Sequence, residues 1–286
     1  MANIFKKGFD FFVFTSLFIA SCAALMVYQT TLLFNVPLSY KIIGFVLSGT
    51  ICSYNFHWYL TPPNVGGPTE KVIWNIKNKY IHLGLFFIGL AGAAVFSFLL
   101  IDHWFWLAIT AFVTFLYSAP KIPFPAFSYL RKVAVGKTVF LAFSWMHVTA
   151  LLPLVIHNDH LTDPQVWFVV NRFFLIYPIC ILFDYRDREA DKKDKIRSLI
   201  TILSEGGIDI LFWGCMVAFF ASIFFLTAWF SILVCIALAM PGIIVCLLYY
   251  PSKNNSSDYL YYFVLDGLMM LSAPLVILCR YFIGHF

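Results

Sequence analysis

Long apolar runs alternate with short polar joints along this chain. A helix needs about 20 predominantly apolar residues to cross a bilayer core. Nine segments meet that description, at roughly 9–34, 38–59, 80–100, 103–118, 132–157, 164–183, 207–227, 228–250 and 258–283. Turn-forming residues separate them: Asn35-Val36-Pro37, the run from Thr61 to Pro68, Asp163-Pro164, Gly206-Gly207 and the stretch from Pro251 to Ser257. The joint between the seventh and eighth segments is the faintest, because residues 208–250 are nearly continuous in hydropathy. No internal repeat or low-complexity stretch stands out. The pattern predicts one all-α polytopic membrane domain over residues 1–286 with nine transmembrane helices.

Composition agrees: 62% of residues are apolar and 12% charged, and the mean hydropathy is +0.86. The net charge of +5 changes the picture only through its distribution. With the N-terminus (Lys6, Lys7) in the cytoplasm, the same side receives Lys71, Lys77, Lys79, Lys121, Arg131, Lys132, Lys137, Lys253 and the six basic residues between Arg186 and Arg197, sixteen of nineteen Lys/Arg. That asymmetry is the positive-inside signature. It predicts a multi-pass protein, as in a bacterial inner membrane, with its charged loops cytoplasmic and surrounded by membrane lipid. No polar segment shows the basic and aromatic pattern of a nucleic-acid reader, so no nucleic-acid partner is expected. Ile19-Ala20-Ser21-Cys22 resembles a lipoprotein cleavage box, but the apolar run continues to about Phe34, too long for a signal-peptide core. All seven cysteines lie in apolar segments without a Cys-x-x-Cys pair, which makes them packing residues.

One stretch breaks the apolar pattern. Between Phe183 and Leu199 stand five of the chain's fourteen carboxylates and six of its nineteen Lys/Arg. Asp184, Asp187 and Asp191 fall at i, i+3 and i+7, which on a helix spans an arc of roughly 60°. Three oxygen ligands converging at the end of a hydrophobic helix suit a hard cation, with Mg²⁺ the natural occupant if a phosphate shares the site. A solvated charged loop is the plainer reading; the single-face spacing and the membrane context argue against it.

Other candidates are weaker singly. Tyr117 and Lys121 lie one turn apart at the end of the fourth segment, where tyrosine and lysine are ordinary interface residues. Ser53, Asn55 and His57 form a polar strip at the end of the second; it either lines a pocket or faces loop and water. Arg172 lies near the middle of the sixth segment and Asp266 about eight residues into the ninth. Intramembrane charges cost several kcal/mol unless they face a cavity or pair, so a substrate contact and a structural Arg–Asp pair are equally good explanations.

Taken together, nine spans, Tyr-x-x-x-Lys at 117–121 after the fourth, and Asp-x-x-Asp-x-x-x-Asp at 184–191 followed by Ile196-Arg197-Ser198 resemble the UbiA superfamily of intramembrane prenyltransferases. The resemblance implies nine helices around a lateral, membrane-facing cavity with aspartate motifs at its cytoplasmic mouth. There an isoprenyl diphosphate is held through Mg²⁺, and its prenyl group passes to an aromatic or other lipophilic acceptor. It further implies that Asp184, Asp187 and Asp191 bind metal, while Tyr117 and Lys121 steady the leaving diphosphate.

The family's first aspartate motif is missing. Its place at the end of the second segment reads Ser53-Tyr54-Asn55-Phe56-His57, and no Asp or Glu occurs from Phe11 to Thr69. Basic side chains can neutralise a diphosphate where a metal does not. Arg131, Lys132, Lys195 and Arg197 are the expected diphosphate-binding residues, with Asn55 and His57 supplying hydrogen bonds. The same substitution leaves open a terpene cyclase of the same fold, or a non-catalytic protein that binds an isoprenoid.

Overall fold

The computed structural model describes residues 2–61, 69–118, 136–158, 160–193 and 197–283. Among these the chain is helical throughout, with no strand. The main helices are α1 (Ala2–Phe14), α2 (Leu17–Leu33), α3 (Tyr40–Leu60), α4 (Glu70–Lys77), α5 (Lys79–Leu99), α6 (Trp104–Ser118), α7 (Lys137–Val155), α8 (Asp163–Lys193), α9 (Glu205–Leu226), α10 (Ile232–Asn254) and α11 (Leu260–Phe282).

Six of them, α5 and α7 to α11, are long and apolar enough to cross a membrane, and the bent pair α1–α2 makes a seventh if counted as one span. Two expected spans fall short for visible reasons. Helix α3 has 21 residues, but the strip of Ser48, Thr50, Ser53, Asn55 and His57 dilutes its apolar character. Helix α6 has only 15.

The first predicted span is not continuous. It bends by 61° between Phe14 and Leu17, where Ser16 adopts a left-handed backbone conformation with φ 66°. Such a conformation is unfavourable for a residue with a Cβ, and the surroundings support it. Asn55 Nδ2 donates to the Thr15 carbonyl at 3.1 Å, satisfying an oxygen that the helix break releases.

Helix α4 is short and unanticipated. The Thr69 hydroxyl caps it by accepting from Val72 N, and Asp258 Oδ2 accepts from Lys71 N at 2.7 Å. Helix α8, by contrast, continues past the apolar segment that ends near residue 183 and carries 31 residues. Nothing between Phe183 and Lys193 breaks a helix, so the charged run simply continues it. At 1.5 Å per residue α8 is about 46 Å long, well beyond a hydrocarbon core of about 30 Å. Its charged last turns therefore project past the apolar layer.

Helix α8 is the buried axis of the bundle, with Leu175, Ile176, Ile179 and Ile181 fully enclosed. Helices α7, α9 and α10 pack around it. Helix α5 lies against α3 and presents Phe87, Ile88 and Phe98 outward, as α6 presents Trp104 and Phe112. These faces suit lipid. The α3–α5 crossing is close: a Cβ at Gly89 would lie 2.5 Å from Cys52 N and 2.8 Å from the Ser48 carbonyl oxygen. Small residues permit such backbone approach in membrane helices.

Candidate functional site

Most of the described charges collect at one end of the bundle; Lys41, Asp102, Asp163 and Arg280 do not belong to that group. Lys6 on α1 meets Glu70 on α4 at 3.4 Å, and the Tyr259 hydroxyl joins Asp10 at 2.6 Å and Glu70 at 3.0 Å. On the same end Lys253 bridges Glu205 and Asp209, each at 3.0 Å. Arg188 also pairs with Glu205, and together these contacts tie the ends of α8, α9 and α10.

Within this end, α8 brings two of its three aspartates together. Asp184 and Asp191 are both buried and share the Lys137 ammonium, 3.6 Å from Asp184 Oδ1 and 3.8 Å from Asp191 Oδ2. Thr138, beside Lys137 at the start of α7, donates its hydroxyl to Asp184 Oδ2. Asp187 is half-exposed and accepts from its neighbour Arg186 at 3.0 Å. Among the described residues no three His, Cys, Asp or Glu side chains form a metal-sized cluster. Mg²⁺, however, is commonly held by one or two carboxylates plus substrate phosphate oxygens. Asp184 and Asp191 fit that donor set, with Lys137 standing where a cation belongs.

Asn55 is fully buried and committed to neighbouring helices. Its Nδ2 donates to the carbonyls of Thr15 and Ile51, and its Oδ1 meets His82 Nδ1 at 2.7 Å. The other ring nitrogen of His82 meets the Asn75 amide at 2.9 Å. Both ring nitrogens of His82 thus face amide oxygens, Oδ1 of Asn55 and Oδ1 of Asn75. This chain knits the α1–α2 break, α3, α4 and α5. His57, two residues further along α3, is half-buried with its ring 6.2 Å from that of Trp58.

A second charged constellation sits between α4, α8 and α11. The Lys71 side chain is buried among aromatic rings, its Nζ 3.5 Å from the Tyr262 centroid, 4.4 Å from Trp58 and 6.0 Å from Phe14. Burial holds its ammonium well below the ordinary lysine range, against the opposing pull of Asp266, and Arg186 pushes it further down. Arg186 lies over Tyr261 and Tyr262 at 4.5 and 4.8 Å and donates from Nη2 to the Tyr262 hydroxyl at 2.6 Å.

Arg172 and Asp266 do not pair with each other. Arg172 is 1% exposed and donates to Asn171 Oδ1 from Nε at 3.1 Å and Nη2 at 2.5 Å, and to Ser272 Oγ from Nη1 at 2.8 Å. Ser272 in turn reaches Gln29, and Asn171 reaches Ser222. Arg172 is thus the hub of a polar network joining α2, α8, α9 and α11. Asp266 instead faces Lys71 and Arg186.

Arg197 is exposed, just before the short helical turn Leu199–Ile202. Tyr117 lies in the last turn of α6; Lys121, Arg131, Lys132 and Lys195 fall outside the described residues. Two cavities, of about 330 Å³ beside His103, Trp106 and His157 and about 280 Å³ beside Asn35 and Arg280, open at the opposite end of the bundle. Neither is lined by the aspartates.

Sequence reasoning gave no separate role to Thr138, Arg186 or His82. Thr138 has a readable signal, since Lys137-Thr138 opens an apolar helix after Gly136. Arg186 was one of six similar cations in a charged run, and only packing distinguishes it. No known protein family, curated protein or solved structure matches this chain.

Proposed function

We propose that this protein binds an isoprenyl diphosphate at the charged end of its bundle and, with Mg²⁺, transfers the prenyl group to an aromatic or other lipophilic acceptor in the membrane. One observation carries the reading: Asp184 and Asp191, buried on α8, converge on a single cation at 3.6 and 3.8 Å. That is the donor arrangement a metal–phosphate complex uses at a helix end. Asp187, one turn between them, is the third proposed ligand. Arg131, Lys132, Lys195 and Arg197, with His57 and Asn55, belong to the diphosphate side, and Tyr117 and Lys121 to the leaving group. The reading retains nine segments around a lateral cavity and a cytoplasmic site, as in a UbiA-type prenyltransferase. In the transfer the allylic C–O bond breaks and its electron pair leaves with diphosphate. The acceptor supplies the electrons of the new bond and then releases a proton.

A second reading, binding of an isoprenoid diphosphate without turnover, is favoured by Asn55. The amide at the first-motif position is spent on Thr15, Ile51 and His82.

The test incubates purified protein with Mg²⁺ and geranyl, farnesyl and geranylgeranyl diphosphates, with and without aromatic acceptors, and reads diphosphate release. Transfer predicts release that Asp191→Ala abolishes. Lys121→Ala should slow turnover by about a hundred- to a thousandfold while leaving binding nearly unchanged. Metal-dependent binding without release selects the second reading, and the absence of both rejects the pair.

A further inference from the structure

Lys71 and Arg186 approach one another inside the bundle with hydrogen-bonding capacity left over. Lys71 is 2% exposed, yet among the described residues no oxygen accepts from its Nζ, which lies over the rings of Tyr262 and Trp58. Its placement is built: the Thr69 cap and the bond from Lys71 N to Asp258 Oδ2 at 2.7 Å set the start of α4. Arg186 spends Nε on Asp187 at 3.0 Å and Nη2 on the Tyr262 hydroxyl at 2.6 Å. Its Nη1 is buried and has no partner. Both cations stand over the same Tyr262 ring, at 3.5 and 4.8 Å.

Buried polar groups are nearly always hydrogen-bonded, and an exception calls for a reason. Two like charges beside one ring, each with idle donors, are mutually unfavourable while empty. Cation–π contact returns only a small part of the lost hydration. Asp266, the buried carboxylate facing them, moderates the repulsion but makes no hydrogen bond or ion pair with either cation among the described residues.

We propose that Lys71 and Arg186 form a receiving site for a phosphoryl group, carried either by a lipid or by a soluble diphosphate. Three ammonium hydrogens and the two on Nη1 suit the several acceptor oxygens and multiple charge of a phosphate better than a single carboxylate. Trp58 and Tyr262 form the wall beside it. Asp266 lowers the affinity of this site through like charge. The site is separate from Asp184 and Asp191 and touches the proposed metal ligands only through Asp187, which accepts from Arg186 Nε at 3.0 Å; it requires neither metal nor prenyl chemistry.

The experiment uses the purified full chain in EDTA, so that its failure is separable from failure of the metal-dependent transfer. Three probes are compared by calorimetric titration and by the shift in unfolding midpoint: inorganic diphosphate, geranyl diphosphate, and phosphatidic acid against phosphatidylcholine in nanodiscs. At least one phosphate probe should bind and stabilise the parent. Lys71→Met and Arg186→Gln should each weaken it roughly ten- to a hundredfold, the worth of a hydrogen bond to a charged group. Asp266→Asn should tighten it. Binding of inorganic diphosphate as tight as that of geranyl diphosphate identifies a soluble ligand; binding confined to lipid-borne phosphate identifies a headgroup. The proposal is overturned if no phosphate probe binds the parent, if Lys71→Met binds as tightly as the parent, or if Asp266→Asn weakens binding. Should Arg186→Gln not fold, Lys71→Met and Asp266→Asn carry the decision.

Discussion

Replacing Lys137 by methionine removes the ammonium that Asp184 and Asp191 share while keeping most of the side chain's volume. The contact distances are 3.6 and 3.8 Å, and the side chains are 19%, 9% and 10% exposed for Lys137, Asp184 and Asp191. At an effective dielectric of about 20, unit charges about 4 Å apart attract by about 4 kcal/mol. Part of that attraction only offsets the cost of desolvating the groups. Removing one partner of a buried pair is nevertheless expensive, about 3–5 kcal/mol, because the other charge stays behind. Asp184 would keep the Thr138 hydroxyl, which places the expected loss toward the lower end. For a chain of this size that corresponds to a fall in unfolding midpoint on the order of 5–10 °C.

The assay is thermal unfolding in detergent, followed by tryptophan fluorescence, for Lys137→Met, Asp184→Asn and the double variant. The double variant should recover part of the loss, because one of the two uncompensated carboxylates is gone and only Asp191 remains. Added Mg²⁺ should stabilise Lys137→Met more than the parent, since the cation position is vacated. An unchanged midpoint in Lys137→Met, or strictly additive effects in the double variant, would refute the pairing argument.

Three further outcomes follow from other parts of the bundle. Gly89→Val should cost about 1–3 kcal/mol or more, because its Cβ would lie 2.5 Å from the backbone nitrogen of Cys52 and no side chain can move aside; unfolding midpoints check this, and an unaffected protein would mean the α3–α5 crossing is looser than drawn. His82→Phe strands the amides of Asn55 and Asn75, at about 1–3 kcal/mol for each unsatisfied group, and His82→Phe with Asn75→Leu should regain part of that stability in the same assay. For Lys71 the sign is set by a depressed basic group: the unfolded chain binds more protons than the native one between the lowered native value and the free lysine value of about 10.4. Parent stability relative to Lys71→Met should therefore rise with pH across that window, with Asp266, Arg186 and Asp258 common to both proteins; a flat difference would show that Lys71 is not desolvated.

How much of this could be read from residues alone differs from element to element. The apolar runs that became α5 and α7 to α11 were legible because a bilayer-length stretch has no other good conformation: each backbone polar group must be satisfied within its own helix. The break at Ser16 was not legible, since no proline or glycine marks it. It depends on Asn55, forty positions later, accepting the task of satisfying the Thr15 carbonyl. Hydropathy marks only the part of α8 up to about residue 183, where the apolar segment ends. Charge does not break a helix, and only the bilayer thickness separates its apolar from its polar turns.

The same contrast holds for the candidate site. Spacing alone put Asp184, Asp187 and Asp191 on one face, because 3.6 residues per turn is a local rule. Spacing could not say that Lys137, on α7, would sit between the outer two, or that Arg186, drawn to Tyr262 on α11, would hold Asp187 aside. Likewise Arg172 and Asp266 were recognisable as costly intramembrane charges, but their partners were open. Tertiary packing assigned Arg172 to a neutral hydrogen-bonded hub and set Asp266 before Lys71 and Arg186. By itself the sequence determined an all-helical membrane protein with most of its basic charge gathered at one end, since hydropathy and helical period act within a few turns. Which charges meet was decided only by the packed bundle, where the arrangement of helices selects the neighbours of each buried group.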